Sequence, residues 1–169
     1  MIKFCDLHAN KYKRPLLFKL SLRLINIELY SQKRSNLQFE LLNNKSIIHS
    51  KKFHNVSPGI PKTNLDEEFH IPVIVYYDPR KKRFAVYNIQ INILSNHTRF
   101  SRKMATTVFQ LSQMLNAGVL YSKEKLKLAK CTDKNSFLEV RAELELRDIE
   151  DLNEGESLDD SYLISSVLK

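Results

Sequence analysis

Glu68-Phe69-His70-Ile71-Pro72-Val73-Ile74-Val75-Tyr76-Tyr77-Asp78-Pro79-Arg80-Lys81-Lys82-Arg83-Phe84-Ala85-Val86-Tyr87-Asn88-Ile89-Gln90-Ile91-Asn92-Ile93 decides the fold class of this chain. Two runs rich in β-branched and aromatic residues flank an Asp-Pro turn with four consecutive cations, Arg80 to Arg83. In the second run Tyr87, Ile89, Ile91 and Ile93 face one way, and Asn88, Gln90 and Asn92 the other. A period of two with one apolar face predicts strands of an antiparallel sheet whose second face meets water. Pro72 lacks a backbone N–H, which assigns its position in the first run to a sheet edge or a bulge.

Working outward, Phe18, Leu20, Leu22 and Leu24 alternate with Lys19, Ser21 and Arg23, and the apolar parity then shifts to Ile25, Ile27 and Leu29. This predicts a long first strand with a bulge near Leu24–Ile25. Leu37–Leu42 and Ser46–Phe53 read as two further strands joined at Asn43-Asn44, since Asn tolerates the left-handed geometry of a tight turn. His54–Leu65, with Pro58, Gly59 and Pro61, reads as a loop. Arg102–Leu111 is predicted to be a strand and Ser112–Ala117 a helical turn ended by Gly118. Leu138, Val140, Ala142, Leu144 and Leu146 alternate with charged residues, which marks the last strand. About eight strands with turn signals every 8–12 residues predict an all-β fold, an eight-stranded antiparallel sandwich or barrel.

Charge divides the chain. Residues 1–147 hold 26 Lys and Arg against 12 Asp and Glu, a formal +14. Residues 148–169 hold one Lys and seven acids, a formal −6, and the two parts sum to the overall +8. A basic body with an acidic tail implies an anionic partner for the body or a tail that masks it. The organisation predicted is a basic leader (1–11), one domain (12–147) and the tail (148–169). In the tail Tyr162, Leu163, Ile164, Val167 and Leu168 form a candidate partner-binding segment, the last four at helical spacing.

Several function classes are excluded on composition. Gly59, Gly118 and Gly155 are too scattered for a phosphate-binding loop. Cys5 and Cys131 have no metal-ligand spacing and are expected to be reduced. No apolar run approaches the roughly 20 residues of a membrane span, and the chain reads as cytoplasmic, peripheral at membranes or cytoskeletal structures. Nothing near the cysteines or the five histidines activates a nucleophile, so no enzyme activity, cofactor or small-molecule substrate is expected. Sequence-tolerant nucleic-acid binders interleave exposed aromatics with cations. Here Phe18, Phe69, Phe84, Tyr87, Phe109 and Phe137 fall on apolar faces, so nucleic acid is not the expected partner.

The ordered pieces resemble the NT-type C2 domain, the N-terminal module of the EH-domain-binding protein class, over residues 12–147. The resemblance rests on the basic opening of the strand from Lys13 to Leu29, the Pro61-Lys62-Thr63 loop and the Glu68-Phe69-His70-Ile71-Pro72 strand. It rests also on the strand from Phe84 to Ile93, the Arg102-Lys103 entry leading to Phe109-Gln110-Leu111-Ser112, and the closing hairpin from Cys131 to Val140. Ala105-Thr106-Thr107 stands where such domains often place a glycine. The resemblance implies a C2-like β-sandwich that serves as a membrane-proximal or scaffold-binding module.

C2-like sandwiches commonly bind calcium through clustered carboxylates on end loops, and such an ion needs several oxygen ligands. The loops Ser31–Asn36 and Ser95–Ser101 contain no acid, so calcium independence is expected. The candidate lipid-binding residues are Arg80, Lys81, Lys82 and Arg83, with Lys51, Lys52, Arg102 and Lys103 on the same basic face. Each cation near an anionic leaflet contributes about 1 kcal/mol. Lys123, Lys125, Lys127 and Lys130 form a second cluster. The expected partner is therefore an anionic membrane, phosphoinositide or phosphatidylserine, with a protein scaffold reached through a sheet edge and the tail as the alternative.

Overall fold

The computed structural model describes residues 13–30, 35–43, 46–97, 100–131 and 134–147. The leader and tail, with Tyr162, Leu163, Ile164, Val167 and Leu168, lie outside the described residues. Among the described residues there are ten strands and one short helix: β1 (Arg14–Glu28), β2 (Ser35–Leu42), β3 (Ile47–His49), β4 (His54–Val56), β5 (Lys62–Asp78), β6 (Arg83–Phe84), β7 (Asn88–His97), β8 (Phe100–Gln110), α1 (Leu111–Asn116), β9 (Tyr121–Lys127) and β10 (Phe137–Leu146). They form two antiparallel sheets, one ordered β6-β5-β1-β10-β9 and the other β3-β2-β7-β8, with β4 also on β2.

The alternating apolar residues form one continuous core between these sheets. Leu20, Leu22 and Leu24 of β1, Leu138, Val140 and Ala142 of β10, and Ile89, Ile91 and Ile93 of β7 are all fully buried. Phe39 and Phe109 are the largest fully buried side chains. The parity change in the first strand is a bulge between Leu24 and Asn26, present in the pairing of β1 with both β5 and β10. It keeps Ile27 in the core after Leu24 and turns Asn26 to Glu139, whose carboxylate accepts its side-chain N–H at 2.7 Å.

Local differences from the sequence reading have physical causes. About eight strands are expected and ten are described: β4 and β6 are short pieces that pair separately, and β9 is unforeseen. The stretch read as one strand, 46–53, keeps pairing only over Ile47–His49, and the chain returns to β2 at His54–Val56. The loop read over 54–65 therefore contains β4 and the start of β5, where Lys62, Thr63 and Asn64 pair with β1 beyond its bulge. β9 is an addition: Tyr121 to Lys127 is polar on both faces, yet pairs along β10. Asn92, expected to face water, is buried. Its amide donates to Glu40 at 2.9 Å and accepts from Gln90 and Thr106, each at 2.9 Å.

Candidate functional site

The cationic turn is built by its own sequence. Asp78 Oδ1 accepts the backbone N–H of Arg80 at 3.0 Å and of Lys81 at 3.4 Å, and Lys82 adopts φ +50°. An Asp at the turn entry and a left-handed residue near its exit close the chain tightly, and all four cations from Arg80 to Arg83 are exposed. The turn is fixed to the helix: Phe84 N–H donates to Asn116 Oδ1 at 2.7 Å, and Ser112 and Tyr87 exchange hydrogen bonds at 3.0 and 3.2 Å. Tyr77 and Phe84 stack edge-to-face at 5.1 Å beneath it.

This end of the sandwich gathers charge of one sign. Arg14 opens β1 opposite Tyr77, and Arg147 follows β10 with its N–H on Leu17 O at 2.9 Å. Lys13, Arg14, Arg80, Lys81, Lys82, Arg83 and Arg147 thus stand against Asp78 and Glu145. Among the described residues no ion pair joins Lys81, Lys82 or Arg83 to a carboxylate. The same end carries Val86, Val119, Leu120 and Leu146, all exposed.

The outer face of the five-stranded sheet is different. Lys19, Arg23, Lys62, Lys123, Lys125, Lys127 and Arg141 interleave there with Glu28, Asp66, Glu68, Glu139, Glu143 and Glu145. Arg23 Nε donates to Asp66 Oδ1 at 2.8 Å, and that bond with the adjacent positive charge holds the Asp66 carboxyl below its ordinary range. Lys123 reaches Glu139 at 3.1 Å and Lys125 reaches Glu28 at 3.5 Å. Hydrogen bonds from Asn26 and then Lys123 likewise hold the Glu139 carboxyl low. Two of the four lysines of the second cluster, Lys123 and Lys125, are therefore paired with carboxylates in place.

The sheet edges are blunted. Tyr76 O faces outward, accepting Ala85 N–H at 2.8 Å, so by alternation Glu68, His70, Pro72 and Ile74 also present backbone to the open edge of β5. Pro72 removes one of those donors in mid-run. β9 is studded with lysines at the opposite edge, and β8 is bridged at Thr106 by Ala129. Lysines, a proline and short strands are the devices by which natural sheets avoid pairing with other chains.

Arg102 and Lys103 pair with Ser95 and Leu94. They lie eight and seven residues before Gln110, roughly 25 Å along β8 from the helix at about 3.3 Å per residue. Lys51 and Lys52 sit beside β5 near its start, with Lys52 Nζ on Asp66 O at 3.2 Å and Lys51 N–H on Glu67 Oε1 at 2.9 Å. The structure brings Arg80, Lys81, Lys82 and Arg83 together and sets the other two pairs elsewhere. The single face expected from sequence is divided because β5 and β8 carry their cations toward opposite ends.

Two features escaped the sequence reading. Val86 is 82% exposed. Its signal was present: it is an apolar residue in the parity of Asn88, Gln90 and Asn92. Glu67 is buried, with Oε2 2.8 Å from His54 Nε2, and the His54 ring meets Phe39 edge-to-face at 5.7 Å. No spacing announces that pair, since its members come from different strands.

No protein-family model matches the sequence, and no curated protein is similar to it in sequence. Solved structures are similar in shape. The calcium-bound tandem C2 domains of Extended-Synaptotagmin 2 superpose with a TM-score of 0.57 at 12% identity, over 80% of this chain and 49% of that one. The fold is that of a C2 domain. A longer structure of the same protein, with its SMP domain and both C2 domains, gives a TM-score of 0.56 at 14% identity, over 83% of this chain and 30% of that one. Human GIVD cytosolic phospholipase A2 gives 0.57 at 8% identity, over 79% of this chain and 17% of that enzyme. The chain thus spans half or less of the length of each of these structures. No helix among the described residues is long and apolar enough to cross a membrane.

Proposed function

We propose that this C2-like domain, of the NT type, is a non-enzymatic module that docks to an anionic membrane surface without calcium. The observation that carries the reading is the Arg80–Arg83 turn, four exposed cations held at one end, of which Lys81, Lys82 and Arg83 pair with no carboxylate among the described residues. Four cations at about 1 kcal/mol each near an anionic leaflet are enough for reversible attachment. Calcium independence is supported by the acid-free stretches Ser31–Asn36, leading into β2, and Ser95–Ser101, running from the end of β7 into β8. Among the described residues, no cluster of three or more His, Cys, Asp or Glu side chains is arranged to hold a metal. The blunted edges weigh against the alternative of a scaffold gripping a partner strand.

Co-sedimentation with neutral, phosphatidylserine and phosphoinositide vesicles tests the reading. Pelleting with the anionic vesicles alone, weakened by salt and unchanged by calcium or chelator, is expected. Absence of pelleting at low salt would return the protein to the scaffold class. Arg147 stands at this end and the acidic residues 148–169 follow it in sequence, so deleting them is expected to tighten vesicle binding by removing a competing anion.

A further inference from the structure

The basic end is also an apolar one. Val86 is 82% exposed and Leu120 53% exposed, and Val119 and Leu146 are exposed with them. Each is fixed rather than trailing. Val86 lies between Ala85, whose N–H is bonded to Tyr76, and Tyr87, which is bonded to Ser112. Val119 N–H donates to Met114 O at 3.3 Å, closing the chain after Gly118, which takes φ +72°. Leu120 O accepts Leu144 N–H at 2.8 Å, which ties it to the rim of the five-stranded sheet. Leu146 shares the parity of buried Leu144 but lies past the end of the core. The Arg80–Arg83 turn abuts them through the Phe84–Asn116 bond.

Single exposed apolar residues are ordinary, whereas a group on rigid backbone at one end, rimmed by polar residues, marks an interaction surface. The choice of occupant is made by charge. The rim is cationic, so the complementary partner is an anionic surface with an apolar interior beneath it, and a bilayer has that order of layers. We infer that Val86 and Leu120 enter the lipid interface while Arg80–Arg83 hold the headgroups, so that docking has a salt-resistant apolar component. This inference rests on the membrane reading above and adds to it the depth and orientation of the bound domain: helix end down, five-stranded sheet standing out of the membrane.

The test uses the full chain with phosphatidylserine-containing vesicles at two salt concentrations. At about 0.5 M salt the screening length is near 4 Å and headgroup attraction between exposed charges is largely removed. The wild type is expected to retain measurable binding there. The neutral double variant V86S/L120S keeps the charge and is expected to lose that residual binding at least tenfold, with the thermal transition unchanged because both side chains are exposed. A polarity-sensitive dye on Leu120→Cys, with Cys5 and Cys131 replaced by Ser, is expected to shift to the blue on binding. Salt-sensitive binding equal in wild type and V86S/L120S, with no dye shift, would overturn the inference and leave the electrostatic reading standing. No binding at either salt would overturn both.

Discussion

The outer face of the five-stranded sheet and the helix end of the sandwich both carry many cations, and they are opposite kinds of surface. On the sheet, Lys123 meets Glu139, Lys125 meets Glu28, and Arg23 meets Asp66. At the helix end, Arg80–Arg83 project from a turn whose one acid, Asp78, is occupied with the backbone N–H groups of Arg80 and Lys81. A count of lysines treats the two alike. Exposed ion pairs add little to stability, but they cancel the field an anionic partner would feel. A cationic surface is defined as much by where carboxylates sit as by where lysines do.

The largest effect expected from that difference is on lipid binding. Replacing Arg80, Lys81, Lys82 and Arg83 by Gln should lower vesicle partitioning at low salt by up to about a thousandfold, at about 1 kcal/mol per cation. Replacing Lys123 and Lys125 by Gln should cost no more than about threefold by the same rule, since Glu139 and Glu28 already offset their fields. Equal losses in co-sedimentation would break the comparison.

A carboxyl in the interior is held by hydrogen bonds instead. Glu67→Ala leaves the His54 ring and the Lys51 N–H without their buried acceptor. It should destabilise the fold by about 2–3 kcal/mol, a fall in Tm of roughly 5–10 °C, read by thermal denaturation.

The matched sheet can be unmatched deliberately. Because Glu139 is held below its ordinary pKa in the fold, its contribution is fully present above the unfolded-chain value of about 4.3 and fades as pH falls below it. Glu139→Gln should therefore be less stable than wild type at neutral pH and converge with it in acid, as followed by urea unfolding at several pH values. The same variant releases Lys123 and should raise vesicle binding slightly.

The smallest effect concerns the turn itself. Lys82 holds φ +50°, which glycine adopts without penalty. Glycine also loses more freedom on folding, so Lys82→Gly should change stability by less than about 0.5–1 kcal/mol. It removes one cation, so its vesicle affinity should nevertheless fall several-fold, separating the turn's charge from its shape.

Where one face of a strand is buried, the chain states its structure openly. The alternation from Phe18 to Leu24, its reversal after the bulge, and the run from Leu138 to Leu144 could all be read directly because the core imposes a period of two. β9 could not: at the sheet rim only Ser122 and Leu126 are half-buried, so its sequence bears little imprint of pairing. The Arg80–Arg83 turn was legible, since Asp-Pro followed by cations is local information. That Arg102 and Lys103 stand at the other end, and that Val119 and Leu120 arrive beside the turn, depends on which strand neighbours which, and single-residue patterns do not encode that. The buried His54–Glu67 pair was illegible for the same reason.

Pro72 has a consequence for the protein's behaviour in concentrated solution. Ile71, Val73, Ile74 and Val75 with Tyr76 make an apolar, uncharged β-forming segment, and among the described residues no strand pairs with the outer edge of β5 before Tyr77. Such a segment is a template for fibrillar growth when every outward amide is available. The ring of Pro72 interrupts that template at one position and thereby sets how much of this protein stays dispersed when many copies crowd together.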